Sequence, residues 1–219
     1  YHSPLQFAGI RFFISGLLIF LYFAKPKQYF SELKNNWKFI LLLSLVQVFI
    51  HYALFYSGIN MIPSSLAAMI IGSQPLFIAL VAHFSFHNDK MTMQKTGSIL
   101  IGVVGIAIIT LGRSKVEMKG ELELLGIALL LLNNIISGYS NVMVVKNSSG
   151  ISPIVLSSTS LVIGGLMLSI VSVPIEGINT GPFPTKYWLA LAWLSFISAA
   201  AFTIWFSLLK REGVKVSEL

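Results

Sequence analysis

Cysteine is absent from the 219 residues, which removes disulfide frameworks, thiolate metal sites and cysteine nucleophiles together. Charge is scarce: Asp, Glu, Lys and Arg make up 11% of the chain, less than half the share that keeps the surface of a soluble domain wetted. The four histidines, His2, His51, His83 and His87, are scattered without the spacing that a metal site or an interfacial catalytic cluster needs. No phosphate-cradling loop, catalytic serine motif or base-stacking platform occurs. ATP hydrolysis and nucleic-acid binding are therefore not expected, and no cofactor is called for.

What the chain does have is apolar residue after apolar residue. Hydrophobic types reach 55% and the mean hydropathy is +0.81, so most of its solvent must be lipid. Crossing a hydrocarbon core of about 30 Å takes roughly 20 helical residues. Seven runs meet that length: Leu5 to Ala24, Lys38 to Ile59, Ser64 to Phe86, Gln94 to Gly112, Leu122 to Val145, Pro153 to Val173 and Lys186 to Leu209. A closed barrel would need short segments of alternating polarity, which continuous runs such as Phe39 to Val46 and Ile99 to Leu111 refuse. The fold class is thus an all-α membrane protein, a polytopic helical bundle with about seven spans.

The net charge of +7 lies between these runs. Ten Lys and Arg residues fall in one alternate set of connections, including Lys25, Lys27, Lys34, Lys38 and the pair Lys210 and Arg211, against four in the other set, Arg113, Lys115, Lys119 and Lys186. Basic residues in short loops mark the cytoplasmic side. The Lys25 to Lys38 loop is therefore expected to face in, and the chain to sit in a cell (inner) membrane as a multi-pass protein. Tyr1 at the start, and a final Lys215 to Leu219 that looks like the opening of another helix, read as a piece of a longer chain.

The chain also resembles itself. Ser3-Pro4-Leu5 opens the first span and Ser152-Pro153-Ile154 the sixth; at the same offset Phe13 to Leu17 matches Val162 to Leu166. Further on, Trp37 pairs with Trp188, and Leu54-Phe55-Tyr56 with Trp205-Phe206-Ser207. Five spans separate the matched starts, an odd number, so the two copies enter the membrane from opposite faces, the inverted-topology plan of many transporters. The competing explanation is a shared Ser-Pro helix start, because proline is favoured in a first turn.

These features meet others in a recognisable order. Ser3-Pro4 is followed by Arg11; Ala53-Leu54-Phe55-Tyr56 ends a helix; Ser65-Leu66-Ala67-Ala68 runs into Gln74-Pro75; Gln94-Lys95-Thr96-Gly97 opens a glycine-rich helix; Gly126 begins the next; and Lys210 to Ser217 looks like the second copy of a loop. In this order and spacing the chain resembles the drug/metabolite transporter superfamily, in its EamA-like branch, over essentially its whole length. The resemblance implies ten helices in two inverted sets of five. Residues 1–146 would then form a first repeat without its first helix, and residues 147–219 an incomplete, inverted second repeat. One departure stands out: where the family often carries a Glu after the Pro-containing helix, this chain has His87, Asn88 and Asp89.

Polar side chains inside a span must find partners within the bundle, so their faces mark packed or wet interior. In the second span Ser44, Gln47, His51 and Gly58 share a helical stripe, with Gln47 stacked over His51. That face either lines a cavity or makes a helix–helix hydrogen bond. As a histidine, His51 can accept or donate a hydrogen bond or carry a proton. In the fifth span Asn133, Ser137, Ser140 and Asn141 share a side, with Asn134 beside them. Pro75 withholds an amide and frees the Ile71 carbonyl next to Gln74, for a polar ligand or for a neighbouring serine or water. Trp205 lies on a stripe with Ser195, Ser198 and Phe202 and is a candidate cavity wall. Arg11, about 9 Å into its helix, either snorkels outward or serves as a gate or anion contact.

All eight acids fall in loops or at helix ends. A proton-driven exporter of cations normally uses an embedded carboxylate that proton and substrate contest; either the missing helices supply it, or His51 carries the proton, or transport is not proton-coupled, and its absence here tilts the substrate toward neutral, zwitterionic or anionic metabolites. The expected function is secondary transport, as an exporter of small polar metabolites such as amino acids, by alternating access around a midplane cavity. That cavity would be lined by Gln47, His51, Gln74, Asn133, Ser137 and Asn141. The rival is a membrane-embedded enzyme acting on a lipid-linked substrate. The partners expected are a small-molecule substrate and the lipid bilayer, with no nucleic acid.

Overall fold

Prolines set the helix starts. The computed structural model describes residues 3–85, 121–177 and 182–217, with single positions between 93 and 108. Helix α1, Pro4–Phe23, has Pro4 in its first turn and ends at an extended Ala24 just before Pro26 opens α2, Pro26–Leu43. Proline's fixed φ suits a first turn, and the amide it lacks would be unpaired there anyway. Helix α2 continues through a π-helical segment, Ser44–Ile50, into α3, His51–Ile59. Helices α4, Ser64–Gly72, and α5, Gln74–Ser85, are separated by a turn at Ser73. The remaining helices are α6, Glu121–Asn147, α7, Pro153–Glu176, and α8, Thr185–Ser217. Ser152 caps α7 by accepting the Val155 N–H at 3.3 Å, and Gly177, at a φ of 75° that only glycine adopts freely, ends it.

Among the described residues, six helical stretches are long and apolar enough to cross a bilayer: Pro4–Phe23, Pro26–Ile59, Ser64–Ser85, Leu122–Asn147, Pro153–Glu176 and Thr185–Arg211. They match the expected spans with one exception, since Gln94 to Gly112 lies outside the described residues apart from isolated positions. The segment from Lys25 to Lys38, expected as a loop, is helical from Pro26 onward, with only Asn36 leaving helical geometry (φ −123°, ψ 17°). The helix forms because its first turns are internally bonded, Gln28 Nε2 donating to Glu32 Oε1 at 2.8 Å, and because Tyr29 is buried in an apolar cluster with Ile40, Leu43, Val155, Leu156 and Phe206.

The chain divides into two compact units, Tyr1–Tyr52 with Met143–Leu219, and Ala53–Val142. In the first, α1 and α7 run antiparallel. The start of α1 meets the end of α7, where Gln6 N–H donates to Glu176 at 3.1 Å, and Gly16 lies beside Ser158 and Val162 near the start of α7. Glycines make this contact possible: a Cβ on Gly9 would stand 2.6 Å from the Ser169 nitrogen, and one on Gly165 would stand 2.6 Å from the Phe13 nitrogen. Helix α8 runs parallel to α1, with Phe7 edge-on to Tyr187 and Ser15 Oγ donating to the Ser195 carbonyl at 2.9 Å.

In the second unit α6 runs parallel to α4 and α5. Gly126 packs on Met61 and Ile62, Asn134 reaches Ile70, and Gly138 lies against Phe77 and Val81. Its apolar core is Ile62, Leu66, Ala67, Ile70 and Leu130.

Candidate functional site

In the first unit the polar groups gather on and around the π-helical segment. There the backbone bonds run from residue i to i+5, as in the His51 N–H donating to the Val46 carbonyl, a turn wider than that of an α-helix. Such turns are rare and occur often at functional sites. The segment is wedged against α7: a Cβ on Gly164 would stand 2.4 Å from Val48 Cβ and 3.1 Å from the Ser44 carbonyl oxygen. Ser44 is buried and spends its hydroxyl on the Ile40 carbonyl at 2.6 Å. Gln47 is 8% exposed, and its Oε1 finds no hydrogen-bond partner among the described residues. A buried amide oxygen left so carries a cost of about 1 to 3 kcal/mol until something donates to it. His51 is half-buried, its ring edge-on to Tyr52 at 4.9 Å.

Two other predicted residues belong to this unit. Trp205 is 42% exposed, whereas Ser195, Ser198 and Phe206 on the same helix are buried; α8 thus turns the tryptophan to the side of its packed face. Arg11 lays its guanidinium over the Phe12 ring at 4.4 Å, with Nε buried and without a partner among the described residues.

The second unit brings Gln74 and Ser137 together: Gln74 Nε2 donates to Ser137 Oγ. The break before Pro75 is stitched from α6. Asn134 Nδ2 donates to the Ile70 carbonyl at 2.7 Å, an oxygen that also accepts the Ser73 hydroxyl at 2.6 Å. Asn134, fully buried, is therefore a fastener of this kink. Its neighbour Asn133 is 1% exposed, and its Oδ1 has no partner among the described residues. Asn141 is buried further along the same face.

Sequence reasoning placed every acid in a loop or at a helix end and so passed over Glu123. It is the third residue of α6 and only 4% exposed, inside the candidate span Leu122–Asn147. The signal was there in the spacing: Glu123, Gly126, Leu130, Asn133, Ser137 and Asn141 recur at three and four residues, one face of a helix, and all six are buried. Tyr29 was also passed over; its hydroxyl bonds those of Ser158 at 2.9 Å and Thr159 at 2.7 Å, within a run of buried hydroxyls from Ser157 to Ser160. No group of three or more His, Asp or Glu converges as metal ligands among the described residues.

Membrane-length helices in close backbone contact, with amides buried on their inner faces, meet a specific match. The model of the EamA-like transporter family fits residues 1–111 and 124–218. The chain belongs to this family. Among curated relatives, the uncharacterized transporter YvbV of Bacillus subtilis is 28% identical over 208 residues, covering 90% of this chain and 66% of that protein. The uncharacterized transporter YoaV of the same organism is 24% identical, over 95% of this chain and 70% of its own length. A WAT1-related chloroplastic protein of Arabidopsis thaliana is 28% identical, over 99% of this chain and 54% of that protein. The chain thus spans about two thirds of the length of the bacterial EamA relatives named here. No solved structure resembles it closely enough to count as a match.

Proposed function

We propose that this EamA-family protein is a secondary transporter that exports small polar metabolites, amino acids or related compounds, by alternating access. The observation that carries the reading is that, among the four buried amide oxygens without a partner among the described residues (those of Gln6, Gln47, Asn133 and Asn134), Gln47 Oε1 and Asn133 Oδ1 belong to side chains whose amide nitrogen is not spent on a neighbouring carbonyl and which lie at mid-helix, on helices whose length and hydropathy suit a bilayer. Packing alone leaves no reason to bury an unpaired acceptor in lipid; a ligand bearing N–H or O–H donors gives one. Within the first unit Gln47 and His51 are the candidate substrate contacts; within the second, Asn133 and Asn141 are. Gln74 and Ser137 act through each other, holding α5 against α6 beside Asn133. Arg11 and Trp205 flank the path in the first unit. The antiparallel course of α1 and α7, the two helices that begin with Ser-Pro, supports two inverted repeats, as does a family match on both halves of the chain.

The test is flux. Full-length protein reconstituted in proteoliposomes is expected to show saturable, counter-transportable movement of at least one member of a radiolabelled amino-acid and metabolite panel. Gln47→Ala is expected to lower that flux about tenfold, the loss of one well-made hydrogen bond to substrate, at unchanged protein level. Saturable flux that both Gln47→Ala and Asn133→Ala leave intact removes these residues from the site; no saturable flux with any panel member counts against the substrate class.

A further inference from the structure

Two glutamates that take no part in the proposed substrate contacts hold the two ends of α7, one to α1 and the other to α2. The Ser3 side chain does not cap α1; it donates to Glu176 Oε2 instead. Glu176, the last residue of α7, accepts the Leu5 N–H at 3.2 Å and the Gln6 N–H at 3.1 Å. A remote carboxylate thus takes the place of the missing cap, satisfying first-turn donors at the positive end of the α1 dipole. At the opposite end of α7, Glu32 Oε2, on α2, accepts the Ser152 N–H at 2.7 Å, while Lys210 Nζ donates to the neighbouring Ile151 carbonyl. Each Ser-Pro helix start is therefore held by a glutamate from a distant stretch of chain, one at each end.

Between the two clamps the helices touch backbone to backbone. A Cβ on Gly9 would stand 2.9 Å from the Gly165 carbonyl oxygen, and one on Gly16 would stand 2.5 Å from the Ser158 carbonyl oxygen. Those positions are about 10 Å apart along α1 at 1.5 Å per residue. Sliding α1 along α7 drives side chains into this backbone, and separating them uncovers the whole interface together with the Glu176 carboxylate.

On the transport reading above, we propose that Glu176, which joins α1 to α7, and Glu32, which joins α2 to α7, are two independent end clamps that keep these three helices closed as one strut while other helices move. The geometry distinguishes this from a gate, which sits between elements that part.

Hydrogen exchange on the full-length protein in lipid nanodiscs tests it, read by mass spectrometry on segments 3–9 and 151–157. In the wild type both segments are expected to be protected and to give a single isotope envelope. Glu176→Ala is expected to speed exchange of the Leu5 and Gln6 amides about tenfold or more, the factor for a bond to a charged acceptor, leaving 151–157 unchanged. Glu32→Ala is expected to do the reverse at Ser152, and the Gln variants, which keep an acceptor oxygen, to fall between. Unchanged exchange in the Ala variants, or equal loosening of both segments by either one, overturns independent clamping. Two isotope populations in the wild type overturn the closed strut, and that measurement together with Glu176→Gln decides the matter if Glu176→Ala does not fold.

Discussion

Valine at Gly165 is expected to cost about 3 kcal/mol or more of stability, the upper end of what overpacking does. An added Cβ there meets the Phe13 nitrogen at 2.6 Å and the Gly9 carbonyl oxygen at 2.7 Å. These are backbone atoms, which cannot rotate out of the way as a side chain does, so α1 must move off α7. In a membrane, where helices associate by close packing rather than by escape from water, that movement forfeits the interface itself. Gly72 supplies the control, because among the described residues nothing lies within 4 Å of a Cβ added to it; Gly72→Ala is expected to be neutral or to stabilise by up to about 1 kcal/mol, the helix-propensity difference. Thermal unfolding of the two variants in one detergent gives the comparison, and equal midpoints would remove the close α1–α7 contact from the account.

The adjacent amides of α6 are expected to respond in opposite ways. Asn134→Asp replaces a donor, 2.7 Å from the Ile70 carbonyl, with an acceptor in a fully buried position. Oxygen then faces oxygen away from water, and the side chain must take up a proton or leave, at a cost of about 3 kcal/mol or more. Asn133→Ala removes a group whose oxygen already lacks a partner among the described residues. Stability should stay within about 1 kcal/mol of the wild type, while flux falls. Unfolding midpoints alongside proteoliposome uptake separate the two roles; a large stability loss in Asn133→Ala would make it a second fastener rather than a substrate contact.

How far these features could be read in the sequence follows their range along the chain. Span starts were legible at Pro4 and Pro153 because a proline's preference for the first turn is local. The helix over Pro26–Leu43 was not, because its charged surface hides the buried Tyr29 and the partly buried Leu33 that anchor it. Nothing in Ser44–Ile50 announces a π-helical turn; that geometry arises where Gly164 lets α7 press against Val48, a contact between residues more than a hundred positions apart. Asn133 and Asn134 look alike in sequence, and only the kink that Pro75 imposes on a neighbouring helix decides which of them is spent on structure. The polar stripe of α6 was legible because three- and four-residue spacing is a one-helix property, and it should have included Glu123.

Water reaching the orphaned amides is the claim on which transport through this protein rests. Single cysteines placed at Gln47 and Asn133 in the full-length protein, against controls at the packed Leu43 and the outward Leu132, can be titrated in intact membranes with a water-soluble, bilayer-impermeant thiol reagent. Gln47→Cys and Asn133→Cys are predicted to react while both controls stay unmodified. Reaction at Gln47→Cys and Asn133→Cys no faster than at Leu43→Cys would contradict a wet path along these helices.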